Sequence, residues 1–150
     1  MSTLSVQASA NKALIERLIS EGHNRRDAAA AVLFYSEDVA NHGRVVGRAG
    51  MRQVFETLYR VFPDFRYRML EATAEEDRVV CKLEMTGTHR GEPLLTEAFS
   101  GMLNGVAPTG RSVKVLQFHS FRIGAGLIAE HAAVRDDMGM MLQLGIVKRP

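Results

Sequence analysis

Apolar residues before Pro63 recur with the period of a helix; after it they alternate with the period of a strand. That order of elements, helices first and strands second, is the α+β pattern, with helices gathered on one side of a sheet. Leu14, Ile15, Leu18 and Ile19 form one helical stripe, and Gly22-His23-Asn24 reads as its stop. Asp27 to Leu33 reads as a short Ala-rich helix, and Val39 to Val46 as short extended pieces. Gly50 opens a third helix. Met51, Val54, Phe55, Leu58, Val61 and Phe62 hold one face of it, and Pro63 ends it.

Beyond Pro63, Phe65, Tyr67 and Met69 alternate with Arg66 and Arg68. Glu75-Glu76-Asp77 is a polar turn. Val79, Cys81, Leu83 and Met85 then alternate with polar residues, a strand with one wet face. Residues 90–111 are looser. Val113 to Phe121 alternate again, Gly124-Ala125-Gly126 is a hairpin turn, and Leu127 to Asp136 is the return strand. Asp137 to Leu144 reads as a terminal helical turn stopped by Gly145. A curved antiparallel sheet closed by three N-terminal helices is the expected architecture. The expected organisation is one domain over residues 1–150, with 1–9 as a loose end.

Composition supports a packed domain. The 150 residues are 46% hydrophobic and 24% charged, ordinary values for a globular chain. The 19 basic and 17 acidic residues are interspersed, aromatics are 7%, and Trp is absent. A basic face with stacked aromatics, and so a nucleic-acid partner, is not expected. Charges interrupt every apolar stretch, so no membrane span is expected. The polar N-terminus does not read as a secretory signal, and Cys81 is the single cysteine. A reducing cytoplasm is the expected compartment. The five histidines form no H-x-x-x-H pair, which argues against a metal site. No phosphate-binding or dinucleotide-binding glycine motif and no G-x-S-x-G elbow occurs, so no cofactor is expected.

The last hairpin holds the most chemistry. A two-residue turn at Ala125-Gly126 makes opposite residues sum to 251, so that His119 faces Ala132 and Val115 faces Asp136. Gln117, His119, Phe121, Ala132 and Asp136 then share one face. A register shifted by one residue would separate His119 from Asp136. A carboxylate in an apolar pocket has a raised pKa and works as an acid or base near neutrality. Asp136 is therefore the expected catalytic residue, with His119 and Gln117 holding or polarising an oxygen, and Asp137 is left to cap the terminal helix. The residue pattern alone also allows Asp136 to be that cap. His42 and His89 are further candidates for contact with a substrate.

Several pieces in order resemble the SnoaL-like polyketide cyclases, also called ester cyclases, of the NTF2-like superfamily. They are Asn41-His42, Phe62-Pro63-Asp64, Asp77-Arg78-Val79-Val80, Gly87-Thr88-His89-Arg90-Gly91, Pro108-Thr109-Gly110-Arg111, Ile128-Ala129-Glu130-His131, Asp136 and Gln143-Leu144-Gly145. The resemblance covers about residues 11–147. It implies a cone-shaped α+β fold, a homo-oligomer packed through sheet faces, and aldol ring closure of a polyketide-like small molecule without metal or cofactor. It also implies acid/base action by Asp136. Ala132 stands where the family usually has Trp, a change that bears on the substrate. Isomerase, hydrolase and non-catalytic ligand-binding readings use the same pocket. Apolar residues on the other sheet face, Leu116 and Phe118, lead to the expectation of a homodimer.

Overall fold

The structure is a computed structural model that describes residues 3–93, 101 and 103–150. Helix α1 spans Thr3–Arg17, and a π-turn, Leu18–Gly22, runs into a 3-10 turn, His23–Arg25. α1 thus begins well before the expected Asn11, and residues 3–9 are helical rather than loose. Helix α2, Ala28–Val32, is capped by Asp27, whose side chain accepts from the Ala30 N–H. Strands β1, Tyr35–Asn41, and β2, Arg44–Val45, precede helix α3, Gly47–Val61. Strands β3, Arg66–Glu75, β4, Arg78–Thr88, β5, Ser112–Gly124, and β6, Leu127–Arg135, follow, and helix α4, Asp137–Gln143, is last. Within the segment expected to be loose, residues 94–100 and 102 lie outside the described residues.

The sheet order is β2-β1-β6-β5-β4-β3. The long strands pair antiparallel as expected. β1 departs from that expectation, because it lies parallel to β6. The chain enters β1 directly from α2, and its parallel partner is the last strand of the chain. The β1–β2 turn is tight, with His42 at φ 51° and Gly43 at φ 79°. The β5–β6 turn has the same character, with Ala125 at φ 49° and Gly126 at φ 77°. Two successive positive φ values define the hairpin turn whose twist matches that of the strands.

One sheet face packs on the helices. Val113, Val115, Phe121 and Ile123 of β5 point inward, as do Val79, Cys81, Leu83 and Met85 of β4. α3 supplies Met51, Phe55 and Val61, and the first helical segment Ile15, Leu18 and Ile19. Cys81 is buried, and burial pushes its thiol up to about 12, the condition of an inert core thiol. The opposite face leaves Val80, Leu116, Phe118 and Val134 exposed. No helix among the described residues is long and apolar enough to cross a membrane.

Candidate functional site

Between the sheet and the helices lies a cavity of about 120 Å³. Its wall is mostly apolar, with Leu18, Met51, Phe55, Leu83 and Val115 among the lining residues. Polar groups reach it from the sheet, and one irregularity in β6 decides which of that strand's side chains do so. The turn at Ala125-Gly126 pairs Gly124 with Leu127 and Ile123 with Ile128, as expected. The register then shifts, so that Arg122 pairs with Glu130 and Ala129 is the extra residue of a bulge. From there on opposite residues differ by one from the expected pairing. His119 faces Ala133, Gln117 faces Arg135 and Phe121 faces His131.

The bulge exchanges the faces of the end of β6. His131, Ala133 and Arg135 line the cavity. Ala132, expected in the pocket, pairs with Ser120 and is exposed on the other face. Asp136, expected there as the catalytic acid/base, is exposed and caps α4, its Oδ1 accepting from the Gly139 N–H at 2.9 Å. Asp137, expected as the cap, lines the cavity instead and pairs with Arg135 at 3.4 Å. The two aspartates have exchanged their expected places. Replacing Asp136 with Ala is therefore expected to cost about 1 kcal/mol of stability, the scale of a lost helix cap. Turnover should be untouched; denaturant unfolding and a rate assay on the same variant check both halves.

Gln117, His119, Phe121 and His42 line the cavity. His89 does not. It is fully buried, its Nδ1 accepts from the Thr109 N–H at 3.2 Å, and its Nε2 has no partner.

Five side chains from four strands form a continuous chain of contacts. Asn41 Oδ1 stands 2.8 Å from His131 Nδ1. His131 Nε2 stands 2.9 Å from His119 Nδ1. His119 Nε2 is 2.8 Å from Gln117 Oε1, which also accepts from the Tyr67 hydroxyl at 3.1 Å. The parallel pairing of β1 on β6 makes this possible, since it sets Asn41 opposite His131. The His42 N–H anchors the same corner by donating to the His131 carbonyl at 2.8 Å. Phe121 stacks on His119 at 6.0 Å and lies 5.0 Å from His131, which fixes both rings.

Proton counting shows what this chain can do. Amide oxygens stand at both ends, and two imidazoles lie between. Filling every contact takes one N–H to each oxygen and one between the rings. Two neutral imidazoles have one N–H each, so they fall short by one proton. The neutral pair is satisfied when either amide turns its NH2 inward, and with both oxygens inward the pair is matched to one added proton. At rest the neutral form holds. Burial pushes His131 down to about 3, with His42, His23 and Arg135 adding to the effect. Burial also pushes His119 well below 6.5, with His131, His23, Arg135 and His42 adding to it. The pair is thus a buried base with a lone pair at neutral pH and a place prepared for one proton.

The helical wall adds His23, which burial pushes down to about 3. The residue pattern marks it only as part of a helix stop, and Tyr67 only as one position in the alternation after Pro63. The expected pairing, which sets Ala132 opposite His119, turns His131 to the outer face, and Asn41 enters only through the Asn41-His42 piece. No group of His, Cys, Asp and Glu among the described residues is placed to hold a metal ion.

Known proteins share this arrangement of elements. AclR from Streptomyces galilaeus, a candidate hydroxylase, is 28% identical with a TM-score of 0.78, over 95% of this chain and 85% of that one. A candidate SnoaL-like polyketide cyclase from Jannaschia sp. CCS1 is 20% identical with a TM-score of 0.79, over 99% of this chain and 98% of that one. IdmH, a candidate polyketide cyclase from Streptomyces antibioticus, is 24% identical with a TM-score of 0.71, over 90% of this chain and 98% of that one. No curated protein matches. The model of one family, SnoaL-like polyketide cyclase, matches residues 13–144. With that match over most of its length, and with helices closing a curved six-stranded sheet, the chain belongs to the SnoaL-like polyketide cyclase family.

Proposed function

We propose that this protein closes a ring in a polyketide-like small molecule by proton transfer through His119 and His131. The observation that carries this reading is the cavity-facing histidine pair with room for one further proton. In the resting state Asn41 accepts from His131 Nδ1–H, and His131 Nε2 accepts from His119 Nδ1–H. Gln117 turns away from His119 Nε2 as substrate enters, and that lone pair removes a proton from carbon. Such a base is weak, and a weak base is matched to an acidic C–H. A carbon between two carbonyls is the substrate feature that fits. The enolate attacks a second carbonyl within the same molecule, and the alkoxide so formed, a much stronger base, takes the proton back. Gln117 and Tyr67 lie beside the reacting carbon and donate to the enolate oxygen as charge develops.

Asp136 has no part in this scheme, because its carboxylate is engaged at the helix cap. The test is exchange of the carbon-bound proton for deuterium in aromatic 1,3-diketones, with and without His119; failure of the wild-type protein to exchange any of a panel would sink the reading. Similarity to AclR favours a second reading, hydroxylation of a small molecule in the same cavity. Product mass separates the two, since ring closure gives an isomer or its dehydrated form and hydroxylation adds an oxygen atom.

The exposed apolar residues of the outer sheet face bear on assembly. Phe118 pairs with Val134 there, beside Leu116 and Val80. We propose that a second copy covers this face. Light scattering at micromolar concentration should give twice 16.6 kDa, and Phe118→Glu should return the monomer mass.

A further inference from the structure

The chain of contacts on the sheet uses Tyr67, Gln117, His119, His131 and Asn41 against one another. On the helical wall His23 lines the same cavity and is only 6% exposed. The π-turn Leu18–Gly22 delivers it there, and Gly22 makes the close approach possible. A Cβ on Gly22 would come within 2.9 Å of the Ala31 Cα and Cβ. His23 Nδ1 stands 2.7 Å from the Tyr59 hydroxyl of α3. Phe55 and Tyr67 meet the imidazole edge-on at 4.9 and 5.3 Å, which locks its orientation. Nε2 has no hydrogen-bond partner among the described residues. Among the described residues the sealed, unpartnered side-chain polar atoms are Ser36 Oγ, Thr57 Oγ1 and His89 Nε2. Nε2 of His23 is not among them, which leaves it accessible on a residue that lines the cavity.

The partner at Nδ1 decides which nitrogen carries the proton. A phenol is a better donor than a neutral imidazole N–H, and burial raises the Tyr59 hydroxyl further, so its proton stays on oxygen. Tyr59 therefore donates to Nδ1, and the single ring proton of His23 sits on Nε2. That N–H is a fixed, neutral donor aimed into an apolar cavity. Burial keeps the imidazole from becoming a cation. A neutral imidazole held this way can polarise a carbonyl, as in triosephosphate isomerase.

We propose that His23 is a second catalytic residue, whose Nε2–H donates to the carbonyl oxygen that becomes the alkoxide, and that Tyr59 is the positioning residue that sets its tautomer. The inference rests on the ring-closing reading above and assigns the acceptor half of the substrate to the helical wall. Tyr67 stands between the two imidazoles, 5.3 Å from His23 and 5.6 Å from His119, so a substrate lying over it meets one at each end. The carbon proton passes to His119 Nε2. The enolate carbon bonds to the carbonyl carbon, and the π pair of that carbonyl moves onto its oxygen, which His23 holds. The proton stored on the histidine pair then goes to this oxygen, so the product is an isomer of the substrate and no co-reactant is consumed.

Long-range proton–nitrogen NMR of protein labelled with 15N-histidine tests the assignment without requiring turnover. His23 is expected in the Nε2–H tautomer, and Tyr59→Phe should remove that preference. Adding 2-naphthol, whose ring bears a phenolic oxygen, should shift the Nε2 resonance. The Nδ1–H tautomer, or an Nε2 resonance unmoved at saturating naphthol, overturns the proposal. For a diketone that the protein turns over, His23→Phe should lower kcat for ring closure about 100-fold, the scale of a lost oxyanion donor. It should leave KM and carbon-proton exchange unchanged, and an equal loss of exchange would mark a structural role. Absence of exchange in the wild-type protein counts against the ring-closing reading, while the NMR result still decides the donor role of His23.

Discussion

His119→Gln should lower turnover of an active 1,3-diketone by about 100-fold or more, the contribution typical of a general base. Glutamine keeps a polar group within reach of His131 and Gln117, so the cavity wall stays hydrogen-bonded, but it cannot carry the substrate's proton. The same variant should lose exchange of the carbon-bound proton, because exchange needs only the first transfer. His131→Gln should fall between wild type and His119→Gln. It leaves His119 in place but replaces the ring that shares the added proton at 2.9 Å. Asp136→Asn, by contrast, should turn over normally, since asparagine is as good a helix cap. If His119→Gln stays fully active while Asp136→Asn is dead, the chemistry lies at the end of β6, and the histidine pair is only a structural bridge.

Stability should fall steeply in mild acid. His23 and His131 are held at about 3, and His119 well below 6.5, all chiefly by burial. In the unfolded chain each returns to about 6.5. Between these values the unfolded chain binds protons that the folded one refuses, so stability rises with pH through this window. It is at its plateau above about 6.5 and is lost as the pH drops from there toward 3. His23 and His131 each contribute a slope of about 1.4 kcal/mol per pH unit, and His119 acts in the same direction. Against a total of about 5–15 kcal/mol, unfolding is expected near pH 4 to 5. Denaturant titrations at a series of pH values measure the slope directly, and His131→Gln should reduce it by about one proton. A stability that stays level from pH 7 to 4.5 would show that these rings titrate normally in the folded chain.

The order of elements was legible because hydrophobic period is a property of each segment alone. The stripe Met51, Val54, Phe55, Leu58 and the alternation Val79, Cys81, Leu83, Met85 each needed no knowledge of a partner. The site was legible only in part. Gln117 and His119 sit on a strand whose inward face follows from alternation, and they do line the cavity. The rest depended on relations between segments. The bulge at Ala129 carries no Gly or Pro to announce it, yet it decides which of Asp136 and Asp137 reaches the cavity. The parallel pairing that sets Asn41 beside His131 is a tertiary event. So is the π-turn that swings His23 inward, since the stripe Leu14, Ile15, Leu18, Ile19 runs into it with ordinary helical spacing.

The extra residue in β6 makes the identity of the cavity wall a matter of parity. Every side chain from Glu130 to Arg135 faces as it does because one residue upstream is unpaired. Were Ala129 taken into the ladder opposite Arg122 instead, no side chain would be removed from the strand, but the whole set would be exchanged for its complement. Glu130, Ala132 and Val134 would turn inward, and His131, Ala133 and Arg135 outward. Point substitution changes this wall one side chain at a time. A shift of the pairing at this bulge rewrites it in one step while leaving the cavity's other walls untouched. In a strand of this kind, a change in how a bulge is paired is the larger move by which one scaffold can pass between chemistries.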